Sequence, residues 1–264
     1  MRPQLLGIPY DASSSFLRGS AAAPPRIRDA LHSPAGNTFT EQGADLAGLA
    51  DAGDLTLADD AAAARAAIQA GVAASLAAGF APISLGGDHS ITYPIMRAVA
   101  ARAPAVTILH VDAHGDLYDH FAGDRFSHAC PFARILEERL CARLVQVGIR
   151  TLTPHQREQI ARFGVETIEM AQFAAGARPP RLDGPVYVSV DLDGLDPAFA
   201  PGVSHREPGG LSVRDVLAMI HGLAGPIVGA DVVELNPSQD VGGVTAAVAA
   251  KLVREIAGHV LLAL

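Results

Sequence analysis

Three short runs of acids and imidazoles, each set directly after an apolar stretch, constrain this chain more than any other feature. They are Gly86-Gly87-Asp88-His89-Ser90, Asp112-Ala113-His114-Gly115-Asp116 and Asp191-Leu192-Asp193-Gly194-Leu195-Asp196-Pro197. The stretches before them, 81–85, 106–111 and 186–190, are apolar almost throughout rather than alternating. That pattern reads as strands covered on both faces, the habit of a parallel sheet.

Helix-like segments separate the strands. An Ala-rich run over 60–79 ends in glycine, 90–102 has Ser90 as a cap, 128–139 is helical, 154–163 carries proline in its first turn, and 212–223 is capped by Ser212. Further strands are expected at 5–9, 144–149 and 227–233, and 244–264 reads as a packing helix interrupted by Lys251, Arg254 and Glu255. The alternation predicts an α/β fold of three layers, α/β/α, with a mostly parallel central sheet. The Gly- and Asp-rich segment 35–59 reads as an irregular surface loop. Each acid–imidazole run, and Glu234-Leu235-Asn236-Pro237 as a fourth group, follows a strand. All four are therefore expected at the carboxyl edge of one sheet, where open α/β sheets bind ligands.

Asp112, His114 and Asp116 recur at every second position, so an extended backbone presents them on one face; Asp191 and Asp193 repeat the spacing. With His89 they can enclose a pair of divalent metals, because carboxylates can bridge two cations. The set is rich in oxygen, with two imidazoles and no thiolate, which favours Mn²⁺ over Zn²⁺. Metals about 3.5–4 Å apart can share and activate one water. A lone Asp-x-His is commonly a turn or a cap. The Asp191–Asp196 run lacks the glycine and glutamate positions of an EF-hand. Convergence of three clusters at three strand ends is what marks a functional site.

At 264 residues and 49% hydrophobic composition the chain can bury a large core, and it reads as a single domain over 1–264. A net charge of −8 argues against nucleic acid as a partner. Only Cys130 and Cys141 occur, which suits two free thiols and a reducing cytoplasm. No long apolar leader or uninterrupted membrane span is visible, so no membrane partner is expected.

Two more residues carry chemistry. His128, twelve positions after Asp116, can shuttle protons near neutral pH, with helix capping as the alternative. Glu234 ends an apolar strand at the active edge, where its carboxylate can pair with a cationic group. His110 lies inside a strand and reads as a satisfied core residue, whereas His205 sits in the loop 201–210, which is placed to wall a pocket.

The combined motifs resemble those of the ureohydrolases, the arginases and agmatinases. The carriers are residues 86–90, 112–116, Ser-Val-Asp-Leu-Asp-Gly-Leu-Asp-Pro at 189–197 and Glu-Leu-Asn-Pro at 234–237. The stretches Ser14–Gly19, Phe126–Ala129 and 201–210 are most similar to plant-type arginases, themselves close to agmatinases. The resemblance implies an arginase/deacetylase-like fold, two Mn²⁺ ions (or other divalent transition metals) and a homo-oligomer, trimer or hexamer. It assigns His89, Asp112, Asp116 and Asp191 to one metal and Asp112, His114, Asp191 and Asp193 to the other. It gives His128 a proton-shuttling role and Glu234 the substrate guanidinium. The implied reaction is hydrolysis of a small guanidino compound to urea and an amine by a hydroxide held between the metals. Asp124 stands where plant-type arginases have asparagine; it would repel an α-carboxylate and attract an amine, which tilts the expectation toward agmatine over arginine. Asp124, His205 and Glu234 are the expected substrate contacts. Hydrolysis of another guanidino or formimino C–N bond, or a non-catalytic metal-binding role, are the alternatives.

Overall fold

A computed structural model describes residues 1–263. Eight strands form one sheet: β1 (Arg2–Gly7), β2 (Ala50–Asp54), β3 (Phe80–Leu85), β4 (Thr107–Val111), β5 (Arg143–Ile149), β6 (Glu166–Glu169), β7 (Val186–Asp191) and β8 (Ile227–Val233). Their order is β2-β1-β3-β8-β7-β4-β5-β6, and every named pair is parallel. The helices are α1 (Ala23–Leu31), α2 (Ala61–Ala77), α3 (Thr92–Arg102), α4 (Pro131–Glu137), α5 (Pro154–Phe163), α6 (Met170–Ala174), α7 (Val213–His221) and α8 (Val244–Leu262).

Two apolar layers sandwich the sheet. On one face α1, α6, α7 and α8 bury Ile27, Phe173, Leu217 and Val253 against Ile83, Val188 and Val232. On the other, α2, α3 and α4 bury Ile68, Met96 and Phe132 against Ile108, Leu144 and Tyr187. Strands covered on both sides need apolar residues at nearly every position, and β3, β4 and β7 have them. The three-layer expectation holds. No described helix is long and apolar enough to cross a membrane.

Local chemistry sets the element ends. Ser212 accepts a hydrogen bond from the Asp215 N–H while Asp215 reaches back to the Ser212 N–H, and Thr153 and Gln156 make the same reciprocal pair at α5. Gly164 ends α5 in the left-handed region at φ 67°. The Ser90 cap is displaced: Asp88 accepts from the Ser90 N–H, a tight turn follows, and α3 starts at Thr92.

The segment 35–59 is not wholly irregular, because it contributes the edge strand β2. Its sequence, Ala-Asp-Ala-Gly-Asp, has no strand signature, and most of it is exposed. Pairing with β1 and the Arg28 guanidinium, which bonds the carboxylates of both Asp51 and Asp54, hold it in place. β6, α1 and α6 are likewise short or amphipathic elements that the sequence reading passed over. Cys130 and Cys141 are free thiols, as expected.

Candidate metal centre

β3, β8, β7 and β4 are consecutive in the sheet, and each is the strand that ends in one of the four motif groups. Neighbouring parallel strands lie about 4.8 Å apart, so their carboxyl ends deliver residues 86–90, 112–116, 191–193 and 234 into one shallow arc.

Glycine makes the arc close enough. A Cβ on Gly87 would lie 1.9 Å from the Tyr10 carbonyl oxygen, which itself accepts from the Asp88 N–H at 2.8 Å. A Cβ on Gly194 would lie 2.8 Å from the Asp112 nitrogen, so the β7 loop rests directly on the β4 loop. Asp116 and Glu234 adopt φ of 48° and 65°, a conformation that costs a non-glycine residue energy and is held by its surroundings.

The donors converge. His89 Nδ1 lies 3.1 Å from Asp112 Oδ2, 3.2 Å from Asp116 Oδ2 and 3.1 Å from Asp191 Oδ2. That nitrogen is buried and aligned for a hydrogen bond to none of them. A buried imidazole nitrogen facing three carboxylates without a partner is what a cation site requires. A second set lies alongside, with His114 Nδ1 3.1 Å from Asp193 Oδ2 and 3.4 Å from Asp112 Oδ1. Asp112 thus offers one oxygen to each set. The residues fit two divalent cations.

The electrostatics agree. Burial, with repulsion from Asp193 and Asp112, pushes Asp191 well above the usual carboxylate range. Burial pushes Asp193 up to about 6, with His114 opposing it. Burial would lower the His89 and His114 imidazoles, but the surrounding carboxylates outweigh it and raise both. Such a cluster of buried negative charge calls for positive charge.

Further side chains orient the ligands. His89 Nε2 lies 3.0 Å from Ser189 Oγ, whose hydroxyl donates to Asp231 Oδ1 at 2.6 Å; Tyr187 and Thr92 donate to Asp231 Oδ2. The chain fixes the ring so that Nδ1 faces the site. His110 is buried and satisfied as expected, but its partners matter. Gln146 Nε2 lies 3.0 Å from His110 Nδ1, and His110 Nε2 lies 2.8 Å from Asp112 Oδ2. Sequence reasoning missed Asp231; the available signal was a lone acid inside an otherwise apolar strand.

His128 reaches the centre from the loop before α4. Its Nδ1 is 3.1 Å from Glu234 Oε1 and its Nε2 is 2.8 Å from Ser15 Oγ. Burial would lower the ring, but Glu234 outweighs it and holds it up at about 9. Glu234 is buried and also accepts from the His89 N–H at 2.9 Å. Its carboxyl is lowered despite burial, chiefly by the bond to His128.

A cavity of about 280 Å³ opens on this arc, lined by His114, Asp116, His128, Asp193, His205 and Glu207 among others. His205 joins the wall as expected, its ring centroid 5.1 Å from that of His128 and 5.9 Å from that of His114. Asp124 does not line the cavity. It is exposed, and its Oδ1 accepts from the Phe126 N–H at 2.8 Å, closing its own turn. Glu207 is the cavity carboxylate the sequence reading passed over.

Carboxylates and imidazoles gathered for metal pairs at the carboxyl edge of a parallel sheet define a metal-dependent hydrolase centre. Residues 2–258 match the model of the Arginase family. Over 276 residues the chain is 48% identical to "Arginase 1, mitochondrial" of Arabidopsis thaliana, covering 97% of this chain and 80% of that one. It is 36% identical to the human "Guanidino acid hydrolase, mitochondrial", covering 95% and 76%. The solved arginase from Medicago truncatula superposes with a TM-score of 0.93 at 45% identity, covering 98% of this chain and 87% of that one. The chain belongs to the arginase family, the ureohydrolases that act on guanidino compounds.

The comparisons correct one expectation. The Arabidopsis relatives are named mitochondrial and chloroplastic/mitochondrial, which overturns the cytoplasmic reading. Two free thiols do not name a compartment.

Proposed function

We propose that the chain hydrolyses L-arginine to urea and ornithine at a pair of Mn²⁺ ions. The observation that carries the reaction class is the convergence of His89 and His114 with the shared Asp112. His89, Asp112, Asp116 and Asp191 would hold one ion, and Asp112, His114, Asp191 and Asp193 the other. Bound there, the metals supply Lewis acidity and an activated water.

The chain's own residues do the rest. Glu234, buried and ionised, binds and orients the planar guanidinium by charge-assisted hydrogen bonds. His128, protonated at neutral pH and joined to Ser15 at the cavity side, passes a proton to the departing amine and recovers it from solvent. His205 and the loop 201–210 close the wall and limit water around the aliphatic tail.

Arginine replaces agmatine as the first substrate for two reasons. Plant arginases are relatives at 48% identity, and the Asp124 carboxylate that favoured an amine-only tail is spent on its own turn. We also take the chain to work as a homo-oligomer, trimer or hexamer, as arginase-family proteins commonly do. The test is urea release by Mn²⁺-loaded protein with arginine and agmatine side by side. A larger kcat/KM for arginine is expected. Urea from agmatine alone would overturn the substrate assignment and leave the reaction class standing.

A further inference from the structure

Glu207 differs from the other carboxylates of the cavity. Asp116, Asp191 and Asp193 belong to the metal donor set, and Glu207 does not. Among the described residues its side chain makes no hydrogen bond, and His114 Nε2 is 4.0 Å from its Oε1. Its backbone, by contrast, is clamped. Arg150 donates to the Glu207 carbonyl from Nε at 3.1 Å and from Nη2 at 2.5 Å. The same guanidinium donates to the carbonyls of Asp193 at 2.7 Å and Gly148 at 3.0 Å. Glu207 therefore holds a fixed position relative to the loop that carries Asp193, and its carboxylate meets only the His114 imidazole, at 4.0 Å and without a hydrogen bond.

Three imidazoles link Glu207 to Glu234, each next to the one before. The His114 and His205 rings are 5.9 Å apart, His205 and His128 are 5.1 Å apart, and His128 Nδ1 touches Glu234 at 3.1 Å. The linked set has a carboxylate at each end. Glu234 lies behind His128, and a guanidinium seated there leaves its aliphatic tail to the cavity that His128, His205, His114 and Glu207 line.

We propose that Glu207 receives the ammonium at the far end of the substrate, so that the site selects guanidino compounds carrying a second cation. The proposal rests on the guanidino-hydrolase reading above. A carboxylate at the end of the wall attracts an ammonium and repels a carboxylate. The α-ammonium of arginine and the terminal ammonium of agmatine both satisfy it. 4-Guanidinobutanoate, with a carboxylate alone at that end, does not.

The test compares wild type, Glu207→Gln and Glu207→Asp, all Mn²⁺-loaded, with arginine, agmatine and 4-guanidinobutanoate, and measures metal content alongside. The side chain is 40% exposed, so either change leaves the fold intact. Loss of a charge-assisted hydrogen bond should raise KM for both cationic substrates about tenfold in Glu207→Gln, with kcat within about twofold. The preference over 4-guanidinobutanoate should narrow, metal content should stay unchanged, and Glu207→Asp should recover part of the loss. An unmoved KM for both cationic substrates would overturn the proposal. So would a lost metal with a lower kcat and an unmoved KM, because Glu207 would then orient His114. No urea from any of the three with wild type would overturn the functional reading, and this assignment with it. Urea from wild type with insensitive variants would overturn Glu207 alone.

Discussion

Burial governs the chemistry of each donor before any cation binds. Asp193 is almost wholly buried, and its carboxyl is pushed up to about 6 from 3.8. A carboxyl that holds its proton more tightly when folded stabilises the fold in its protonated form. That stabilisation is complete below pH 3.8 and is lost as pH rises through about 6. Between about pH 4 and about pH 7 metal-stripped protein should therefore lose more melting temperature, or gain less, than Mn²⁺-loaded protein, since the cation replaces the proton. Melting curves equally steep in pH with and without metal would contradict this. His128 makes a separate prediction, because it touches Glu234 and Ser15 and lies outside both donor sets. His128→Asn should keep its metals and lose about 100-fold in kcat, the size of a general acid–base contribution. Unchanged turnover would remove the proton-transfer role. At this scale the donors were legible from residue type and spacing. The hydrogen bonds of Asp231 and the place of Glu207 in the cavity wall were not, because each depends on a neighbour far away in sequence.

At the scale of elements, the site depends on how closely the strand-end loops pack. The β3 loop is pressed against the backbone of Tyr10, leaving no room for a side chain on Gly87. Gly87→Ala should push this loop outward, destabilise the protein by about 3 kcal/mol and lower its metal content, because His89 moves with the loop. Chemical denaturation together with metal analysis checks both outcomes, and a stable variant with full metal content would contradict the packing argument. Ser212→Ala tests a helix remote from the centre: loss of the reciprocal cap should cost about 1 kcal/mol with KM and kcat unmoved. The central strands and the capped helices α5 and α7 were readable because their signals are local, in apolar runs and in Thr153 and Ser212. β2 was not, because Ala50–Asp54 carries no strand signal and is held by β1 and Arg28 from outside its own sequence.

For the whole molecule, the strand order is the decisive arrangement. β3, β8, β7 and β4 lie side by side although β8 comes last in the chain, so residues from position 86 to position 234 meet in one arc. The sequence pattern alone implied a shared carboxyl edge, but not which strands are neighbours, since order comes from the crossovers through α3 and α7 and from how the helices, the terminal α8 included, pack on the two faces. The same order leaves the arc open to the cavity that Glu207 and His205 wall. The central claim is that this arc binds two divalent metals and that hydrolysis needs both. The most direct measurement is a Mn²⁺ titration of metal-stripped protein, following bound metal and urea release from arginine in the same samples. Urea release should reach its plateau only as the second ion per chain binds, and Asp112→Ala, which removes the carboxylate facing both sites, should abolish the plateau. Full activity at one ion per chain, or urea release independent of bound metal, would contradict the central claim.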